Sequence, residues 1–287
     1  MKYQILADVS GDISPAVIKE YGIGLLPMEY TLQGENRVCV EMESRETLKA
    51  FYDGQRAGDL TQTTQITPNQ YEEIFESYLK EGVPLICLCL SSGLSSTFQS
   101  ASLAAEELRE KYPDTPVVPV DTLAATGGIG VLTERAARNR EQGMSLEENV
   151  QDLKDAAAHI QHQFMVQDLM YLRRGGRVST AEAVLGSALS VRPIMQIDPQ
   201  GKLVVIDKKR GNKQAVKAVV DEFEKHYDEH LSDPVYIIDA DASETADMAE
   251  QAIREKHPVI VIRRMGLSPI IGAHTGPGMI AVCYEGK

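Results

Sequence analysis

Apolar and polar positions along the chain change period repeatedly, and the changes predict alternating strands and helices. Residues 3–8 (YQILAD) form a short apolar run that predicts a strand. Residues 14–21 (SPAVIKEY) open on a proline and keep helical spacing, and 24–32 (GLLPMEYTL) predicts a second extended run. After a polar, less regular stretch come a helix near 69–81, a strand over 84–90 and a helix from about 95 to 111. Phe98, Ala101, Ala105, Leu108 and Tyr112 hold the helical spacing of the last. A strand over 116–121 (PVVPVD) feeds a small-residue turn at 122–130 and another helix, closed at Gly143. SLEE at 145–148 has capping-box spacing before an amphipathic helix drawn to about Gln161.

Beyond that helix the order alters. VRPIMQID, a PQG turn and LVVIDKKR predict a hairpin, which demands antiparallel pairing and so a mixed second sheet. A helix over 213–230, the strand VYIID, a helix over 243–256, the strand VIVIRR and the final strand MIAVCY complete the pattern. The expected fold is α/β in two domains. Residues 1–160 carry a mainly parallel sheet with flanking helices, and 161–287 a mixed sheet with helices.

Composition narrows the class. The chain has 287 residues, 43% of them hydrophobic, enough for a sizeable core, and at about 150 residues per domain the length fits two domains. No apolar run approaches the roughly 18 residues of a membrane span, and the N-terminus enters a strand without a signal-like stretch, so a cytoplasmic location is expected. Four cysteines stand at 39, 87, 89 and 283. Cys87 and Cys89 project to one face of a strand and read as core, and without a Cys-x-x-Cys no metal site is expected. A net charge of −13 argues against nucleic acid as a partner. Two basic clusters stand against that charge: Arg173, Arg174 and Arg177, and Lys208, Lys209, Arg210 and Lys213. A solvated face and a docking site for an acidic or phosphorylated group both fit them.

Two segments carry candidate chemistry. In 84–102 (PLICLCLSSGLSSTFQSAS) an apolar strand stops at a hydroxyl-rich turn that opens into a helix. Unpaired N–H groups of a first helical turn, with Ser91, Ser92, Ser95, Ser96 and Thr97 around them, suit an anion. The turn lacks the lysine of a nucleoside-triphosphate loop. Ser92 or Ser95 as a simple helix cap remains open at this point. In 270–280 (IIGAHTGPGMI) glycines 272, 276 and 278 surround His274 in what reads as a bend, where an imidazole can bond a ligand oxygen.

Taken together, the chain resembles the DegV family of bacterial fatty-acid-binding proteins from end to end. The motifs are Asp8, Ser10 and Asp12 after the first strand, TTQITP at 63–68, SSGLSSTFQSA at 91–101, YLRRGGRVS at 171–179 and GAHTGPG at 272–278. Two departures stand out. The family usually shows Thr-Ser-Gln-Pro where this chain has Thr63-Thr64-Gln65-Ile66, and Ser-Gly-Thr-Tyr where it has Ser95-Ser96-Thr97-Phe98. The resemblance implies a lipid carrier rather than an enzyme, the lipid-carrying subunit of a fatty acid kinase. It also implies a buried tunnel for the acyl chain and no cofactor beyond the bound fatty acid. Thr63, Thr64, Ser95, Ser96 and His274 would bind the carboxylate, and Arg210, with Arg173 and Arg174, would meet the kinase or the new phosphate. Contact with a membrane surface for lipid exchange, without integration, would follow. The alternative weighed from the residues is a serine acyl hydrolase using Ser95 and His274, although Gly93-Leu94-Ser95-Ser96-Thr97 has only the first glycine of a nucleophile elbow. A weaker alternative is a regulatory domain that binds a phosphorylated small molecule through the 122–130 turn.

Overall fold

The computed structural model describes residues 3–179, 190–231 and 233–287. In chain order the first half comprises β1 (Gln4–Asp8), α1 (Pro15–Tyr21), β2 (Gly24–Leu26), β3 (Met28–Leu32), β4 (Glu35–Cys39), α2 (Arg45–Arg56) and β5 (Thr63–Thr64). It continues with α3 (Pro68–Leu79), β6 (Leu85–Cys89), α4 (Thr97–Lys111), β7 (Val117–Asp121), α5 (Gly127–Glu141) and α6 (Leu146–Ala157). The second half comprises β8 (Ile160–Met165), α7 (Met170–Arg174), β9 (Val191–Ile197), β10 (Leu203–Arg210) and α8 (Asn212–His226). After these come β11 (Val235–Asp239), α9 (Ser243–Lys256), β12 (Ile262–Gly266), α10 (Pro269–Thr275) and β13 (Ile280–Glu285).

Strands β2-β1-β6-β7 form a four-stranded parallel sheet, and β10-β9-β8-β13-β11-β12 a six-stranded mixed one in which only β11 and β12 run parallel. The α/β class and the mixed second sheet are as expected. Helix α5 lies between the sheets, with Gly127 and Gly130 against Tyr236 and Gly128 against His162. One apolar core therefore runs from Ile5 and Leu88 of the parallel sheet to Phe164 and Ala281 of the mixed one. A second, under α8 and α9, covers the far face.

Several elements differ from the sequence reading, each for a physical reason. The run 24–32 is broken at Pro27, which sends β2 to the parallel sheet and β3 to a small third sheet, β4-β3-β5. The stretch read as irregular holds β4, an edge strand with one buried residue, and α2, capped by Ser44 and burying Leu48, Phe51 and Tyr52. The capping box is present, Ser145 Oγ accepting from Glu148 N–H at 3.2 Å, but α6 ends at Ala157 rather than Gln161. Residues 160–165 (IQHQFM) are instead a strand inside the mixed sheet, where His162 and Gln163 are buried despite their polarity. The penultimate strand is displaced to 262–266, leaving Val259 exposed, and the helix drawn over 213–230 is α8, ending at His226. The glycine-rich bend is helical, with His274 in the last turn of α10. Among the described residues no helix is long and apolar enough to cross a membrane, and no cluster of His, Cys, Asp or Glu could hold a metal ion.

Candidate functional site

The carboxyl ends of β1, β6 and β7 converge, as expected of ligand sites in open α/β sheets. A buried carboxylate organises them. Asp8 Oδ2 accepts from Leu90 N–H at 2.6 Å, and Oδ1 from the Tyr71 hydroxyl at 3.2 Å, which ties the end of β6 to α3. Burial pushes Asp8 up to about 7, with both hydrogen bonds opposing. The serine turn that follows is held by backbone. Ser91 N–H donates to Ala124 O at 2.9 Å, and Ser92 N–H to Asp121 Oδ1 at 3.1 Å. Ser91 Oγ donates to Gly201 O at 2.8 Å, so the β9–β10 hairpin turn sits on the serine turn. A side chain at Gly93 would come within 2.6 Å of the Gln200 and Gly201 carbonyls. Ser95 Oγ is 2.7 Å from Thr97 Oγ1 and accepts from Thr97 N–H at 3.3 Å.

The opposite wall comes from the far end of the chain. Asp12, at φ 46, accepts from Ser268 N–H at 2.9 Å and from the Thr126 hydroxyl, anchoring the start of α10 to the start of α5. Burial pushes Asp12 up to about 7 as well. At the other end of α10, His274 Nε2 lies 2.8 Å from Thr63 Oγ1 on β5. Helix α7 and the glycines after it pack against this histidine: a side chain at Gly175 would overlap His274 Nδ1, and Gly276 abuts the Tyr171 ring. The turn at Gly175 and Gly176, the latter at φ +75, sends the third arginine inward. Arg177 Nε donates to Leu94 O at 3.1 Å, Nη1 donates to Gly175 O, and no carboxylate among the described residues pairs with it. Burial, reinforced by the Arg177 charge, pushes His274 down to about 4. At neutral pH the pair is a neutral imidazole beside a cation that no described carboxylate neutralises, a setting that attracts one anion.

These walls enclose a cavity of about 370 Å³. Thr63, Thr64, Ser95, Arg177 and His274 line one part. Met28, Leu90, Leu94, Phe164, Ile270 and Met279 make much of the rest apolar. The opening is at the hydroxyl end, where Thr64 and Gln65 are exposed. A polar groove of about 430 Å³ adjoins it, sharing Thr63, Arg177 and His274 and adding Arg174.

Of the five residues expected at a carboxylate, four line the cavity, whereas Ser96 is exposed outside the lining at the start of α4. Arg174 stacks on Tyr171, its guanidinium 4.4 Å from the ring centroid, and Arg173 is exposed. Arg210 is exposed at the end of β10, roughly 20 Å along the strand from the lining residue Leu203. The sequence reading grouped Arg177 with its neighbours and left it out of the site, although the glycine pair before it was the signal that it turns away from them. His162 was missed with its strand. The pair that hydrolysis requires is not made, since Ser95 bonds Thr97 and His274 bonds Thr63.

The family model described as "Uncharacterised protein, DegV family" matches residues 2–287. A DegV domain-containing protein of Clostridium perfringens is 34% identical, covering 99% of this chain and 98% of its own. Among solved structures, a DegV family protein from Thermus thermophilus described for its fatty acid binding superposes with a TM-score of 0.87 at 26% identity, covering 99% of this chain and all of its own. A Thermotoga maritima protein described as revealing fatty acid binding function gives 0.84 at 27%, with both chains fully covered. By sequence over its whole length and by fold, this chain belongs to the DegV family.

Proposed function

We propose that this protein binds one long-chain fatty acid, with the acyl chain in the apolar cavity and the carboxylate between Ser95, Thr63, Thr64, His274 and Arg177. The observation that carries the reading is Arg177, a partly buried guanidinium without a carboxylate partner among the described residues, set beside hydroxyls at the open end of an apolar cavity. Residues 1–160 supply the hydroxyls and 161–287 the cationic side, so the head group bridges the two expected domains. Each methylene withdrawn from water contributes ~0.8 kcal/mol, so a chain of about sixteen carbons contributes roughly 12 kcal/mol before ordering costs. A bilayer offers nearly the same, and fixed bonds to the carboxylate supply what it lacks. The fatty-acid binding described for the Thermus and Thermotoga relatives supports the same reading.

The finer part of the proposal is that the bound carboxylate is presented to a fatty acid kinase for acyl-phosphate formation. The chain has no nucleotide loop of its own. Arg210, with Arg173 and Arg174 as secondary contacts, meets the acidic partner or the new phosphate. Ser95→Ala and Thr63→Val each remove a charge-assisted hydrogen bond worth about 1.5 to 3 kcal/mol, so each weakens the acid roughly 10- to 100-fold and leaves its methyl ester unaffected. Equal losses for acid and ester, measured by calorimetry, would remove these hydroxyls from the site. With a cognate kinase, Arg210→Ala slows acyl-phosphate formation at limiting protein, and an unchanged rate would dismiss its role.

A further inference from the structure

We propose that His162 is a fixed end-stop for the acyl chain, so that this protein selects fatty acids by length more sharply than by saturation. The inference rests on the fatty-acid reading and adds the residue that chooses among chains. His162 and Phe164 project from one face of β8 into the cavity. Both are buried, as is Ala281 on the neighbouring strand, whereas Thr64 and Gln65 at the hydroxyl end are exposed. A chain held with its carboxylate at those hydroxyls therefore runs its methyl end toward this wall.

The wall does not yield. His162 Nε2 lies 3.2 Å from Ala125 N and 3.0 Å from Ala125 O, the residue that leads into α5. Behind the ring is Gly128, where even a methyl would overlap Nε2, so the imidazole has no space into which to retreat. Burial pushes it down to about 4, so the ring is neutral near pH 7 and tolerates an apolar neighbour. Among the described residues its Nδ1 has no hydrogen-bond partner, and Ala125 is what tethers the ring by hydrogen bonds. The side walls are of another kind. Met28 and Met279 are unbranched thioethers that change rotamer at little cost, and they accommodate a kink that the imidazole cannot.

The test is an affinity series over saturated acids of about 12 to 20 carbons, each with a cis-monounsaturated counterpart, for wild type, His162→Ala, His162→Asn and His162→Leu. In wild type affinity rises roughly fourfold per methylene, then drops at least tenfold within two carbons of a limit. Each cis counterpart stays within about threefold of its saturated acid. His162→Ala and the milder His162→Asn move the limit to longer chains and leave shorter acids within about threefold, while His162→Leu, of similar bulk, keeps it. An unchanged limit in folded Ala and Asn variants, or discrimination by saturation larger than by length, would overturn the assignment to His162 while leaving fatty-acid binding intact. No binding at any length would overturn the underlying reading together with this one.

Discussion

The two ends of the cavity are built in opposite ways. The hydroxyl end is assembled from segments far apart in the chain, and backbone contacts hold them: Gly201 O on Ser91, Ser268 N–H on Asp12, and Gly175 against His274. Its chemistry is a few polar atoms at fixed distances. The closed end is made of core side chains whose shape alone matters, apart from His162. An anion is recognised by position and a hydrocarbon by volume, so a change at one end should alter one property and spare the other.

Variants can break that separation, and the largest effect is expected where backbone meets backbone. Gly93→Ala places a methyl within 2.6 Å of two carbonyl oxygens that cannot move aside cheaply. It should lower unfolding free energy by about 3 kcal/mol in urea titrations and erase the preference for acid over ester. A stable variant with intact preference would show that the hairpin turn does not brace the head site.

A second test uses pH. Asp8 and Asp12 are pushed up to about 7, and His162 and His274 down to about 4. Between roughly pH 4 and 6.5 the fold keeps the carboxyls protonated while the unfolded chain ionises them, so the acids make stability fall as pH rises. Over the same interval the unfolded histidines hold protons that the folded ones refuse, so the histidines make stability rise. The contributions of these four groups offset one another, two against two. Asp12→Asn, which keeps the shape, should tilt the profile upward with pH by on the order of 3 kcal/mol across that window. Parallel profiles for wild type and variant would contradict the protonated state assigned to Asp12.

Smaller effects sharpen the comparison. Arg177→Met should weaken the acid by about 2 kcal/mol at constant chain length and leave the length limit where it was. Met28→Leu, a swap of similar volume on an adaptable wall, should change stability and affinity by less than about 1.5 kcal/mol. A shift of the length limit by Arg177→Met would mean that the ends are coupled, and a larger loss with Met28→Leu would mean that its wall does not adapt.

The same division governs what could be read from the sequence. The head site was legible because close backbone approach leaves glycines, hydroxyls and a lone histidine at short spacings, as around Ser91–Thr97 and His274. Arg177 was present in the motif, and the glycine pair before it was the one sign that it turns away from its neighbours. The tail was not legible. Phe164 and Met279 look like any core residue, and His162 with Gln163 made a buried strand resemble the end of an amphipathic helix. The small sheet of β3, β4 and β5 escaped for a related reason, since β4 buries only Cys39 and shows no alternation.

The central claim is that one fatty acid occupies the cavity through its carboxylate. Native mass spectrometry of the delipidated protein, incubated in parallel with hexadecanoic acid and its methyl ester, tests it most directly. The account predicts a single added mass of one acid per chain, persisting at concentrations where the ester is lost, with that difference reduced but not removed in Arg177→Met. A protein that stays unliganded in excess acid, or that retains acid and ester alike, would contradict it.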